Sequence, residues 1–69
     1  MLAAFDFGLT NTDIVISKSN ENHFHSFPTM EVNDEFISYI FDSINININQ
    51  ISQIAVTGGK SSDLDDNFN

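Results

Sequence analysis

Phe5-Asp6-Phe7-Gly8-Leu9-Thr10-Asn11-Thr12-Asp13-Ile14-Val15 is the stretch on which the fold turns. Leu2 to Phe7 is a short apolar run, interrupted by Asp6 and ended by Gly8, which is the pattern of a buried strand. Asp13-Ile14-Val15-Ile16-Ser17-Lys18 is β-branched at three consecutive positions and predicts a second strand. Gly8 through Thr12 between them has turn composition, because Gly lets the chain reverse without a Cβ in the way and Thr and Asn bond nearby backbone. Two strands joined this closely pair antiparallel.

The chemistry of that turn follows from its residue types. A carboxylate at the end of a buried strand, such as Asp6, is costly to desolvate unless it is paired, hydrogen-bonded or near a cation. Thr10, Asn11 and Thr12 offer backbone N–H groups and short polar side chains to one concavity. Successive amides in a tight turn form an anion nest, and a neighbouring carboxylate can hold the metal that accompanies a triphosphate. An ordinary hairpin loop has the same composition, so residue types alone leave both readings open.

Working outward, Ser19-Asn20-Glu21-Asn22 is a polar connection and His23-Phe24-His25-Ser26-Phe27 a third strand. Its face carrying His23, His25 and Phe27 excludes Phe24, and Pro28 closes it. From Asn33 the period changes. Asn33 or Asp34 can cap a helix whose first turn suits Glu35. Phe36, Ile37, Ile40, Phe41 and Ile44 form its apolar stripe, expected to pack against Phe5, Ile14 or Ile16, and Ile54 or Val56. Tyr39 and Asp42 lie off that stripe. Asn45 to Asn49 predicts a frayed helix end and a loop. Ile51 to Val56 is a fourth strand, followed by a sharp turn at Thr57-Gly58-Gly59-Lys60. Residues 61–69 read as a loop or tail.

The expected fold is therefore α/β, in the order β-β-β-α-β. Three strands form an antiparallel meander, and a helical crossover returns the chain to a fourth strand parallel to the first. One helix covers one face of such a sheet. Residues 1–69 are accordingly expected to be part of a domain, completed by the remainder of the fold or by a partner chain.

Composition narrows the function classes. Ten acidic against two basic residues give a net charge of -8. Nucleic-acid backbones and anionic membranes are bound through several Lys or Arg, so neither is an expected partner. Seven Phe and a hydrophobic fraction of 41% fit a folding chain rather than a disordered one. Cysteine is absent, and no targeting or membrane-spanning run is evident, so a cytoplasmic location is expected.

Other constellations carry less. His23 and His25 share a strand face but lack an evident third ligand, so exposed strand positions are the better reading. Asp63, Asp65 and Asp66 lack the Gly and closing Glu of a calcium loop. Lys60 reads as a solvated lysine. No Ser-His-Asp arrangement is assignable.

The stretch from Phe5 to Val15 resembles the first phosphate motif of the actin, sugar-kinase and heat-shock-chaperone ATPase superfamily, a strand-Asp-x-Gly-x-Thr-strand hairpin that opens a ribonuclease-H-like domain. That domain opens with the element order read above. Val56-Thr57-Gly58-Gly59 after the fourth strand resembles the Thr-Gly-Gly segment of type II (Fumble-like) pantothenate kinases. The resemblance implies ATP-dependent phosphorylation of pantothenate in coenzyme A biosynthesis. It implies that Asp6 holds Mg²⁺, that Gly8, Leu9, Thr10 and Asn11 line the phosphates of ATP, and that Thr57, Gly58 and Gly59 line the cleft near a small-molecule substrate. It supplies no catalytic residue in this chain, so residues 1–69 alone are expected to be inactive. Two positions depart from the kinase hairpin: Leu9 replaces a second Gly, and Asp13 replaces a Lys. Thr10-Asn11-Thr12-Asp13 is closer to hydantoinase and oxoprolinase subunits, which keeps an ATP-dependent amide hydrolase open. A non-enzymatic module that binds a partner through the open sheet face is the remaining alternative.

Overall fold

The computed structural model describes residues 1–59. The readings at Lys60, in the tail 61–69 and at Asp63, Asp65 and Asp66 lie outside the described residues. Strand β1 (Leu2–Phe7) pairs antiparallel with β2 (Asn11–Lys18), and β2 pairs antiparallel with β3 (Glu21–Pro28). Helix α1 (Asp34–Ser43) and a 3₁₀ turn (Ile48–Gln50) lead to β4 (Gln53–Thr57), which lies parallel to β1. The sheet order is β3-β2-β1-β4, the meander and parallel return expected from the sequence.

The register divides the sheet into two faces, because side chains alternate along each strand. Ala3, Phe5 and Phe7 of β1 share the inner face with Thr12, Ile14 and Ile16 of β2, and all six are buried. Helix α1 lays Phe36, Ile37, Ile40 and Phe41 on that face. Phe5 stacks on Phe7 with ring centres 5.3 Å apart and meets Phe41 edge-on at 5.7 Å. Ile54 and Val56 are half-buried against the same cluster, as the helix lies over the sheet centre rather than its β4 edge. Each fully buried Ile or Phe contributes about 1.5–3 kcal/mol, so this single cluster supplies most of the driving force for folding.

Local chemistry sets the joints. The β2–β3 connection is shorter than the four residues read from the sequence. Ser19 and Asn20 alone make the turn, both at positive φ (51° and 66°), which gives the twist that a two-residue hairpin requires. Glu21 and Asn22 join the strand instead, because an edge strand exposed on its outer side accepts polar residues.

Asn33 caps α1, its side chain accepting from the Phe36 N–H at 2.9 Å. Val32 before the cap and Ile37 four residues after it are both buried, the arrangement of a hydrophobic staple. At the other end Asn45 takes a left-handed φ of 59°. Its N–H bonds the Asp42 carbonyl and the Ile46 N–H bonds the Phe41 carbonyl, which closes the helix in a Schellman motif. The Asn-rich stretch is therefore an ordered stop. Asn47 and Gln50 then form a reciprocal capping box around the 3₁₀ turn. The Ser52 N–H and hydroxyl both donate to the Met1 carbonyl, at 2.7 and 3.0 Å, which fixes the starts of β4 and β1 together.

The outer face is uncovered among the described residues. Ala4, Val15 and Phe24 line a shallow apolar depression there, with Asp6, Asp13 and Thr57 at one end. Phe24 is 74% exposed. No helix among the described residues is long and apolar enough to cross a membrane.

Candidate phosphate-binding turn

The β1–β2 connection is tighter than the five-residue turn read from the sequence. Asn11 and Thr12 already belong to β2, so Leu9 and Thr10 form the tip and Gly8 faces Asn11. The Gly8 N–H donates to the Asn11 carbonyl at 3.0 Å. A Cβ on Gly8 would stand 2.7 Å from that same oxygen, which is why the position takes glycine although its φ is not in the left-handed region. Leu9 and Thr10 are exposed at the tip, Leu9 by 80%. Their N–H groups take part in no hydrogen bond among the described residues.

Thr12 departs from the sequence reading. Its side chain does not share the concavity with Thr10 and Asn11; it is fully buried on the inner face. There its hydroxyl lies 2.8 Å from the Thr29 hydroxyl. β alternation places Asn11 and Asp13 on one face and Thr12 on the other, so only the first two could project with Asp6.

Asp6 lies on the outer face directly opposite Asp13, and on its other side it pairs with Thr57 of β4. Asp6 and Asp13 form a hydrogen-bonded ladder pair, counting by twos from Gly8 and Asn11, so their Cα atoms are about 5.5 Å apart. Gly58 follows at φ 102°, packed so closely that a Cβ on it would stand 2.5 Å from the Phe7 carbonyl oxygen and 2.7 Å from Asp6 Oδ1. Asp6, the turn, Thr57 and Gly58 therefore meet at the carboxyl ends of two adjacent parallel strands, where open α/β sheets bind ligands. Gly59 is exposed, with open space around its Cα.

The donor set fits Mg²⁺ bound together with a phosphate. Mg²⁺ takes hard oxygen ligands and is commonly held by one or two carboxylates plus phosphate oxygens. Asp6 and Asp13 are exposed carboxylates on one face. No group of three or more His, Cys, Asp or Glu among the described residues could hold a metal by protein ligands alone. His23 and His25 lie away from this end, on the inner-face side of β3. His23 is exposed, 3.4 Å from Glu21, and His25 is half-buried.

Sequence reasoning missed Thr29. It donates its N–H to the Thr10 carbonyl at 2.9 Å and its hydroxyl to the Gly8 carbonyl at 2.8 Å. No motif marks it, because it reaches the turn through the fold, by way of the β2–β3 register. The chain matches no family model, no curated protein and no solved structure.

Proposed function

We propose that the turn from Gly8 to Asn11 binds the phosphates of ATP with Mg²⁺ at Asp6, and that the chain is the N-terminal part of an ATP-dependent small-molecule kinase. The observation that carries this reading is the convergence of Asp6, the turn tip and Thr57-Gly58 at the carboxyl ends of β1 and β4. In such a site the N–H groups of Leu9 and Thr10 donate to phosphate oxygens. The Asp6 carboxylate provides the anionic anchor for Mg²⁺, which when bound offsets phosphate charge. Thr57, Gly58 and Gly59 line the side from which the acceptor substrate approaches.

The resemblance of Val56-Thr57-Gly58-Gly59 to type II pantothenate kinases favours pantothenate as that acceptor. Asp13 favours a second reading, an ATP-dependent amide hydrolase of the hydantoinase and oxoprolinase kind, since it stands where the kinase hairpin has Lys.

Calorimetric titration of the chain with ATP and Mg²⁺ tests the proposal. Saturable binding that needs both ATP and Mg²⁺, and that Asp6→Asn abolishes, supports it. Titrations that stay flat, or an Asp6→Asn variant that binds like the parent, reject it. In the protein that carries the rest of the fold, pantothenate phosphorylation against 5-oxoproline turnover separates the two enzymes.

A further inference from the structure

We infer that Thr29 is the positioning residue of the β1–β2 turn, setting the direction in which its backbone donors point; as a role in phosphate binding, this rests on the function proposed above. Thr29 lies just beyond β3, in neither strand of the hairpin, yet holds two of the turn's carbonyls. Its hydroxyl donates to the Gly8 carbonyl at 2.8 Å and its N–H to the Thr10 carbonyl at 2.9 Å. A hydroxyl has one proton, and that of Thr29 goes to Gly8, so the short 2.8 Å contact with Thr12 is made by the Thr12 proton. The result is a directed relay, Thr12 to Thr29 to Gly8, that starts at a fully buried hydroxyl and ends at the turn.

The consequence follows from peptide geometry. Every peptide bond among the described residues is trans. In a trans unit the carbonyl and the following N–H point in opposite directions. Holding the Gly8 carbonyl towards Thr29 therefore turns the Leu9 N–H away from it, and holding the Thr10 carbonyl does the same to the Asn11 N–H. Without the Thr29 hydroxyl the Gly8 carbonyl loses the bond that holds it, and the aim of the Leu9 donor is less tightly fixed. A turn whose donors are fixed in advance binds an anion without the cost of ordering them.

Thr29→Ser and Thr29→Val in the full chain test this, with Mg·ATP and inorganic tripolyphosphate as probes. Serine keeps the hydroxyl and should bind within about twofold of the parent. Valine keeps the shape and the backbone N–H bond but lacks the relay, and should bind about tenfold more weakly, the effect of one hydrogen bond of ordinary strength. Valine also leaves the buried Thr12 proton unsatisfied, so Thr12→Val/Thr29→Val is the control. Removing both partners restores an apolar contact and the fold, while the weakened binding should persist. Parent-like affinity in the folded double variant overturns the inference. A parent chain that binds neither probe rejects the phosphate reading alone. Thr29 is then judged by the Gly8 carbonyl and Leu9 amide chemical shifts: movement in the valine variants with rescue in serine upholds its positioning role, and unchanged shifts end it.

Discussion

Gly58 backs onto the end of β1 so closely that a Cβ on it would stand 2.7 Å from Asp6 Oδ1. The strand that completes the parallel pair and the carboxylate at the centre of the candidate site are thus in direct packing contact. At φ 102° the backbone of Gly58 also lies where L side chains are strained. Gly58→Ala should lower stability by about 1–3 kcal/mol and displace Asp6 as β4 moves away. Gly59→Ala is the matched control, since nothing lies within 4 Å of its added Cβ. Urea unfolding of the two variants checks this; equal midpoints would show that the contact is not restrictive.

Asp6 and Asp13 put two exposed carboxylates opposite each other across the β1–β2 ladder. Like charges so placed are destabilising by roughly 0.2–1 kcal/mol. Asp13→Asn should therefore stabilise the chain by an amount at the lower end of that range, because both groups are solvated. The gain should shrink as added salt screens the pair. Thermal melts at low and high salt measure it, and a loss of stability on substitution would mean that Asp13 makes a favourable contact instead. Asp6→Asn should give a similar gain in stability while removing Mg·ATP binding, so the pair separates folding from function.

The elements legible in the sequence were those with local causes. β1 ends at Phe7 because Gly8 follows, and α1 starts after Asn33 because its side chain caps the Phe36 amide. The meander was legible because three strands follow one another over short polar connections, and the parallel return of β4 because a helix separates it from β3. Connections were read too long at both hairpins, since Asn11, Thr12, Glu21 and Asn22 are polar for reasons of exposure or of a buried hydrogen bond, not because they turn. The 3₁₀ turn at Ile48–Gln50 had a signal in the spacing of Asn47 and Gln50, which forms the capping box. Thr29 had none, because its partners lie 17 and 21 residues away and only the register of β2 with β3 brings them together. The placement of Asp6 beside Thr57 was legible only through the expectation that β4 runs parallel to β1.

Asn33 offers a measure of how much the helix depends on local capping. Its side chain satisfies the Phe36 N–H, one of the donors that a helix start leaves without an intrahelical partner. Asn33→Ala should cost about 1 kcal/mol, and Asn33→Ser or Asn33→Asp much less. Chemical denaturation of the three variants tests the ranking. An alanine variant as stable as the parent would show that Val32 and Ile37 hold the helix start without the cap.

Phe24 and Phe5 occupy opposite faces of the same sheet, and their substitution should separate packing from association. Phe5 is 1% exposed and touches both Phe7 and Phe41, so Phe5→Ala removes a contact that three aromatic rings share. The cost of such a change is about 3–5 kcal/mol. A single core in a chain of this size rarely supplies more than about the same amount. Phe5→Ala should therefore abolish the cooperative thermal transition. Phe24 is 74% exposed beside Val15 and Ala4, on the face without a helix. Its replacement by Ser should change stability by no more than about 0.5 kcal/mol, as for other surface positions. It also shrinks an exposed apolar patch of the kind that draws chains together, so any concentration-dependent rise in sedimentation coefficient should fall in Phe24→Ser. An unchanged association profile would locate the sticky surface elsewhere, and a large loss of stability in Phe24→Ser would mean that this ring is covered in the folded protein.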